Sequence, residues 1–82
     1  MSTESSEVIG KILDMTDKEC PKVLYELNAS IKKIEVGEIV KLITNRPKSL
    51  KNIPKWCLTN NHELFLTDTS NGKYLFYIKR MH

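Results

Sequence analysis

Apolar and polar positions along this chain switch between two-residue and three-to-four-residue periods, and the switches mark out six elements. Val8-Ile9-Gly10-Lys11-Ile12-Leu13-Asp14 is a short, β-branched apolar run that predicts a strand ending near Asp14. Met15 to Glu19 forms the connecting loop. From Pro21 onward Val23, Leu24, Leu27, Ile31 and Ile34 recur at helical spacing, which predicts an amphipathic helix terminated by Gly37. Glu38 to Thr44 alternates again and predicts a second strand, closed by Asn45-Arg46-Pro47. A second helix follows, with Ile53, Trp56 and Cys57 on one face, a start or kink near Asn52 set by Pro54, and a C-terminal cap at Asn60-Asn61. His62 to Asp68 and Lys73 to Arg80 are strand-like runs around Ser70-Asn71-Gly72, and Asn-Gly is the preferred pair for a type I′ hairpin turn.

The order β-α-β-α-β-β implies an α+β fold, a two-layer α/β sandwich with a four-stranded mixed sheet and two helices on one face. A right-handed crossover makes the first two strands parallel, and the last two pair as a hairpin. Parallel strands end on the same edge, so the Met15 to Cys20 loop and the Asn45 to Lys48 loop are expected side by side, with Cys20 and Arg46 on one rim.

A length of 82 residues suits one compact core, assigned to residues 8–82 as a single domain behind a frayed tail at residues 1–7. The tail is rich in Ser, Thr and Glu and has neither signal-peptide nor membrane-span character, so a cytoplasmic location is expected. The net charge of +3, with mixed signs, permits an acidic partner but falls short of a dedicated nucleic-acid binder. Cys20 and Cys57 have no zinc or CxxC spacing, and His62 and His82 have no partner at ligand spacing, so no metal is expected. Without a Gly-rich phosphate loop, a Ser-His-Asp set or paired carboxylates on one face, hydrolase and nucleotide chemistry are disfavoured, and no cofactor is expected.

The candidate chemistry lies at Cys20-Pro21. Proline has φ near the helical value and no N–H, so Pro21 reads as the first helical residue and Cys20 as the N-cap. Free backbone N–H groups and the positive end of the helix dipole there favour the nucleophilic thiolate. Lys18 and Lys22 add to that field, whereas Asp14, Asp17, Glu19 and Glu26 oppose it. Spacing alone leaves Cys20 open between an activated thiol and an inert cap or small buried hydrophobe. Cys57, on an apolar helix face, reads as a buried hydrophobe. Trp56, Tyr25, Tyr74 and Tyr77 read as core or edge packing rather than base-stacking platforms, and the Lys32-Lys33 and Lys79-Arg80 pairs as solvated faces.

Leu13-Asp14, five residues, Cys20-Pro21, then a helix and a Gly37-Glu38 turn resembles the start of the TusA-like (SirA-like) sulfur-carrier family. Ile53-Pro54-Lys55-Trp56-Cys57 with His62-Glu63-Leu64 is similar to that family's second-helix signature, and Ile78-Lys79 to its final strand, so the likeness spans Ile9 to Arg80. The resemblance implies a small sulfurtransferase-type carrier in which Cys20 accepts sulfane sulfur as a persulfide and relays it between a donor protein and an acceptor protein. Such carriers feed tRNA thiolation, cofactor assembly or sulfur metabolism, which makes any link to tRNA indirect. No membrane partner is expected, and a monomer or weak dimer is expected. Three positions depart from the family pattern: Val23 replaces the second proline of Cys-Pro-x-Pro, Asp17 a loop glycine, and Asn45-Arg46 an acidic pair. Val23 restores an amide that is expected to donate to the Cys20 sulfur, joining Pro21 and Lys22 as the frame of the site. Arg46, with Lys48, turns the rim basic and suits an acidic or anionic partner. The alternative is a non-catalytic protein- or nucleic-acid-interaction module of the same fold that has lost sulfur transfer.

Overall fold

The computed structural model describes residues 8–82, and at Cys20 the backbone alone; the N-terminal tail expected at residues 1–7 lies outside the described residues. The elements are β1 (Ile9–Asp14), α1 (Cys20–Ile31), β2 (Ile39–Thr44), α2 (Ser49–Thr59), β3 (Glu63–Ser70) and β4 (Lys73–Lys79). They form one four-stranded sheet of order β1-β2-β4-β3, in which β1 and β2 are parallel and the other neighbours antiparallel. This is the mixed sheet that the sequence pattern predicts.

Strand alternation explains why both helices cover the same face. Val40 pairs with Ile78 and Leu42 with Phe76, which places these four side chains on one side of adjacent strands. They share a single buried cluster with Leu13, with Val23, Leu27 and Ile31 of α1, and with Ile53 and Cys57 of α2. Each fully buried Leu, Ile, Val or Phe contributes on the order of 1.5–3 kcal/mol through removal from water. On the opposite face, Lys41 lies over the Tyr77 ring, with its Nζ 5.7 Å from the ring centroid, and Ile12 is exposed.

The hairpin follows the sequence signal. Asn71 and Gly72 both take positive φ, 52° and 77°, between the paired residues Ser70 and Lys73, the geometry of a type I′ turn. Gly10 is required at the β1 bulge for a different reason. A Cβ there would lie 2.7 Å from Glu38 Oε1 and 2.8 Å from Ile34 Cγ2.

Helix boundaries differ from expectation. α1 stops at Ile31 rather than near Gly37, although Ile34 remains buried in the core, because a turn carries the apolar period past the helix end. Arg80, expected in solvent, reaches that turn and donates to the carbonyls of Lys32 and Ile34. Gly37, at φ 94°, instead leads into β2, and its N–H donates to the Arg80 carbonyl. α2 begins at Ser49, three residues before Asn52, and accommodates Pro54 inside the helix at the cost of one i→i−4 hydrogen bond.

Candidate functional site

The two loops leaving β1 and β2 meet at one edge of the sheet, as the parallel pairing requires. Met15 N–H donates to the Ile43 carbonyl at 2.7 Å and carries the ladder past β1, while Met15 itself is buried. Asp14 Oδ1 then accepts from the Thr16 N–H (3.2 Å) and hydroxyl (2.6 Å). These bonds, the hydroxyl first, and the nearby Lys73 charge lower the Asp14 pKa. Lys18 N–H closes the next turn on the Met15 carbonyl, with Asp17 at φ 66°.

Asn45 and Arg46 reach across from the second loop. Asp17 N–H donates to Asn45 Oδ1 and Asn45 Nδ2 donates to Asp17 Oδ1, each at 2.8 Å. Arg46 Nη2 donates to the Asp17 carbonyl at 3.1 Å, Arg46 Nε donates to the Lys18 carbonyl at 3.4 Å, and Nη2 lies 3.5 Å from Glu19 Oε2. The expected neighbouring of the loops is therefore realised as direct bonding, and two of the departures from the family pattern, Asp17 and Asn45, are each other's partners.

The helix start lies one residue earlier than expected. Glu19 is the N-cap, extended at φ −73° and ψ 153°, so Cys20 and Pro21 are the first and second helical residues. No N–H in a helix's opening turn has an intrahelical acceptor, so proline is tolerated at the second position as well as the first and does not by itself set the register. The expected donation from Val23 to the Cys20 sulfur is corrected by the same shift. The Val23 N–H donates to the Glu19 carbonyl at 3.0 Å, making the first bond of α1, and the Val23 side chain is fully buried in the core. Val23 thus anchors the helix. Pro21, Lys22 and Lys48 are exposed, and Arg46 is partly exposed.

Pro21 and Lys48 link two neighbouring depressions beside the helix start. A recess of about 260 Å³ is bounded by Glu19, Pro21, Arg46, Pro47 and Lys48. An open, mainly apolar groove of about 580 Å³ then runs between the helices past Leu24, Lys55 and Trp56 to Asn60. Trp56 was legible as a packing residue, and it does pack against the core, but its place on this groove depends on how α1 and α2 meet. At the far end, His62 stacks on Trp56 with 5.7 Å between ring centroids and on His82 with 4.7 Å. His62 Nδ1 accepts from the Met81 N–H at 3.2 Å, and burial, followed by the His82 and Arg80 charges, lowers the His62 pKa. The sequence separation of these two histidines concealed their contact.

Cys57 contrasts with the rim. It is a free, buried thiol whose pKa burial pushes up to about 11. Desolvation disfavours its thiolate, as expected for a cysteine acting as a core hydrophobe.

Comparison with known proteins adds the family. A family model described as Sulfurtransferase TusA matches residues 11–80. The chain belongs to the TusA family. It is similar to Sulfur carrier protein TusA of Pseudomonas paraeruginosa (strain DSM 24068 / PA7), at 31% identity over 72 residues, covering 88% of this chain and 91% of the relative. The protein of the same name from Pseudomonas putida (strain W619) is 32% identical over 69 residues, covering 84% and 86% of the two chains. That of Pseudomonas fluorescens (strain SBW25) is 30% identical over 80 residues, covering 98% and 96%. The TusA match includes both loops of the rim, the whole of α1 and the groove between the helices. Among the described residues no helix is long and apolar enough to cross a membrane.

Proposed function

We propose that this TusA-family chain is a cytoplasmic sulfur carrier in which Cys20 receives a sulfane sulfur from a donor protein and passes it to an acceptor protein. The observation that carries this reading is the Cys20-Pro21 start of α1, inside the family match and directly behind a loop fastened to its neighbour.

The chemistry needs no external oxidant. The Cys20 thiolate attacks the outer sulfur of a donor persulfide, a new S–S bond forms at Cys20, the donor's own S–S bond breaks, and its electron pair leaves on the donor thiolate. The proton on the transferred sulfur travels with it. Delivery runs the same exchange in reverse: an acceptor thiolate attacks the outer sulfur, and Cys20 leaves as thiolate. A helix N-terminus suits both directions because it stabilises sulfur anions at that position. Pro21, Lys22 and Val23 support the site, Pro21 by lining the groove mouth, Lys22 by its charge in the first turn and Val23 by seating that turn in the core. Lys48, exposed beside Pro21 and Arg46, gives the recess a basic edge that suits an acidic partner surface. The partners, rather than this domain, select between tRNA thiolation, cofactor assembly and other sulfur pathways.

The reading is tested by incubating the protein with glutathione persulfide and mapping the adduct by peptide mass spectrometry, with Cys20→Ser as the control. A selective single-sulfur gain at Cys20 supports the carrier. Its absence favours the non-catalytic interaction module.

A further inference from the structure

We propose that Arg46 is a positioning residue for the thiol chemistry of Cys20, acting by clamping the backbone carbonyls of Asp17 and Lys18 and by offsetting the Glu19 carboxylate. The inference takes the role of Cys20 from the carrier reading above, and assigns Arg46 a task within this molecule rather than on a partner.

A loop joining a strand to a helix has few packed contacts of its own and is ordinarily among the less stable parts of a domain. This one is held from the side. The Arg46 N–H donates to the Thr44 hydroxyl at 3.2 Å, and Thr44 is fully buried at the end of β2. The backbone from which the guanidinium extends is therefore anchored at the edge of the core. The guanidinium then spans two successive carbonyls, those of Asp17 and Lys18, and reaches the carboxylate of Glu19. Glu19 is the N-cap of α1 and the immediate neighbour of Cys20, so the fork bonds every residue between the Asp17 turn and the helix start. Asn45 secures the same turn by its reciprocal bonds to Asp17. A planar guanidinium can make this set of contacts at once, whereas a lysine ammonium, a single point of charge, is not shaped to bridge them.

Two consequences separate this role from ordinary stabilisation. The Arg46–Glu19 pair is solvent-exposed, and such pairs contribute little to folding, so its loss is expected to leave the melting temperature nearly unchanged. Displacing a reacting group by about 1 Å can slow a reaction about a hundredfold, so small movements of the helix start matter far more for exchange than for stability. Charge acts in the same direction. Asp14, Asp17, Lys18, Glu19, Lys22 and Glu26 on the α1 side, with Arg46 and Lys48 opposite, set the local field, and removing Arg46 leaves the carboxylate of Glu19, the residue preceding Cys20, uncompensated.

The test uses the full chain and small probes, so that protein docking plays no part. Cys20 alkylation by iodoacetamide is followed across pH by peptide mass spectrometry, and sulfur uptake from glutathione persulfide is timed, for wild type, Arg46→Ala, Arg46→Lys, Glu19→Gln and the Glu19→Gln/Arg46→Ala double variant. Arg46→Ala is expected to shift the alkylation midpoint upward and slow uptake about tenfold. Arg46→Lys should recover the midpoint better than the uptake rate, and the double variant should return the midpoint toward wild type. Arg46→Ala within about twofold of wild type in both assays overturns the proposal and returns Arg46 to a partner-docking or purely structural role. If Arg46→Ala fails to fold by circular dichroism, Arg46→Lys decides: uptake slowed several-fold supports the clamp, and uptake within about twofold of wild type overturns it. A wild type that takes up no sulfur at Cys20 defeats the carrier reading, while the alkylation midpoints still decide the clamp.

Discussion

Cys57 sits in the middle of α2 with Ile53 beside it and the sheet beneath, whereas Cys20 opens α1 at the end of a loop cross-linked by Asn45 and Arg46. Both cysteines belong to the same helical layer. What differs is position along the helix. An interior position on the apolar face removes water and raises the thiol pKa, so Cys57 behaves as a small hydrophobe. A first-turn position presents unpaired N–H groups, and although Val23 seats that turn in the core, the residues leading into it are held by polar bonds from a neighbouring loop. The comparison teaches that packing sustains one region and hydrogen-bond geometry the other, so the two should respond to perturbation in different currencies: stability around Cys57, reactivity around Cys20.

The largest stability effect is expected beside Cys57. Ile53 is fully buried, and Ile53→Ala should lower unfolding free energy by about 2–5 kcal/mol in urea titrations. By contrast, Asn45→Ala on the rim should cost about 1 kcal/mol or less while slowing sulfur uptake at Cys20. A similar loss from both substitutions would erase the distinction.

Alkaline pH should next single out Cys57. Its folded pKa is raised from 9.0 to about 11, so the stabilisation from the neutral buried thiol is complete below about pH 9 and is lost as pH rises through 11. Melting temperature should fall across that window, and Cys57→Ala should flatten the fall relative to its own value at pH 8. The smallest effect belongs to His62. Its folded pKa is lowered, so the neutral ring's stabilisation is present above its ordinary pKa of 6.5 and is lost as pH falls through the folded value. His62→Gln should remove that acid-side dependence in thermal melts while leaving the Cys20 alkylation profile unchanged. A shifted alkylation profile would join the histidine stack to the rim and blur the division between the regions.

Much of this division was legible before the structure. Local pattern carried the element order, the Asn71-Gly72 turn and the shared face of Ile53 and Cys57, and parallel-strand topology carried the meeting of the two loops. Ile34 prolonged a helical period through a turn, Pro54 imitated a helix start, and Pro21 is compatible with either of two first-turn positions, which is why those boundaries moved. Arg80 shows a further limit. Its charge pattern predicts solvent, yet its guanidinium reaches the carbonyls that follow α1. The bonds from Asn45 and Arg46 to residues 17–19 and the His62–His82 stack were hidden for one reason: each joins residues about 20 or more positions apart, and local periodicity records which residues are apolar, not which polar groups find each other.

The most direct measurement is peptide-resolved mass spectrometry of the wild-type chain after brief exposure to glutathione persulfide. The account predicts a gain of one sulfur, about 32 Da, on the peptide containing Cys20, none on that containing Cys57, and loss of the adduct on addition of an acceptor thiol. No gain at Cys20, or uptake that persists unchanged in Cys20→Ser, would contradict it.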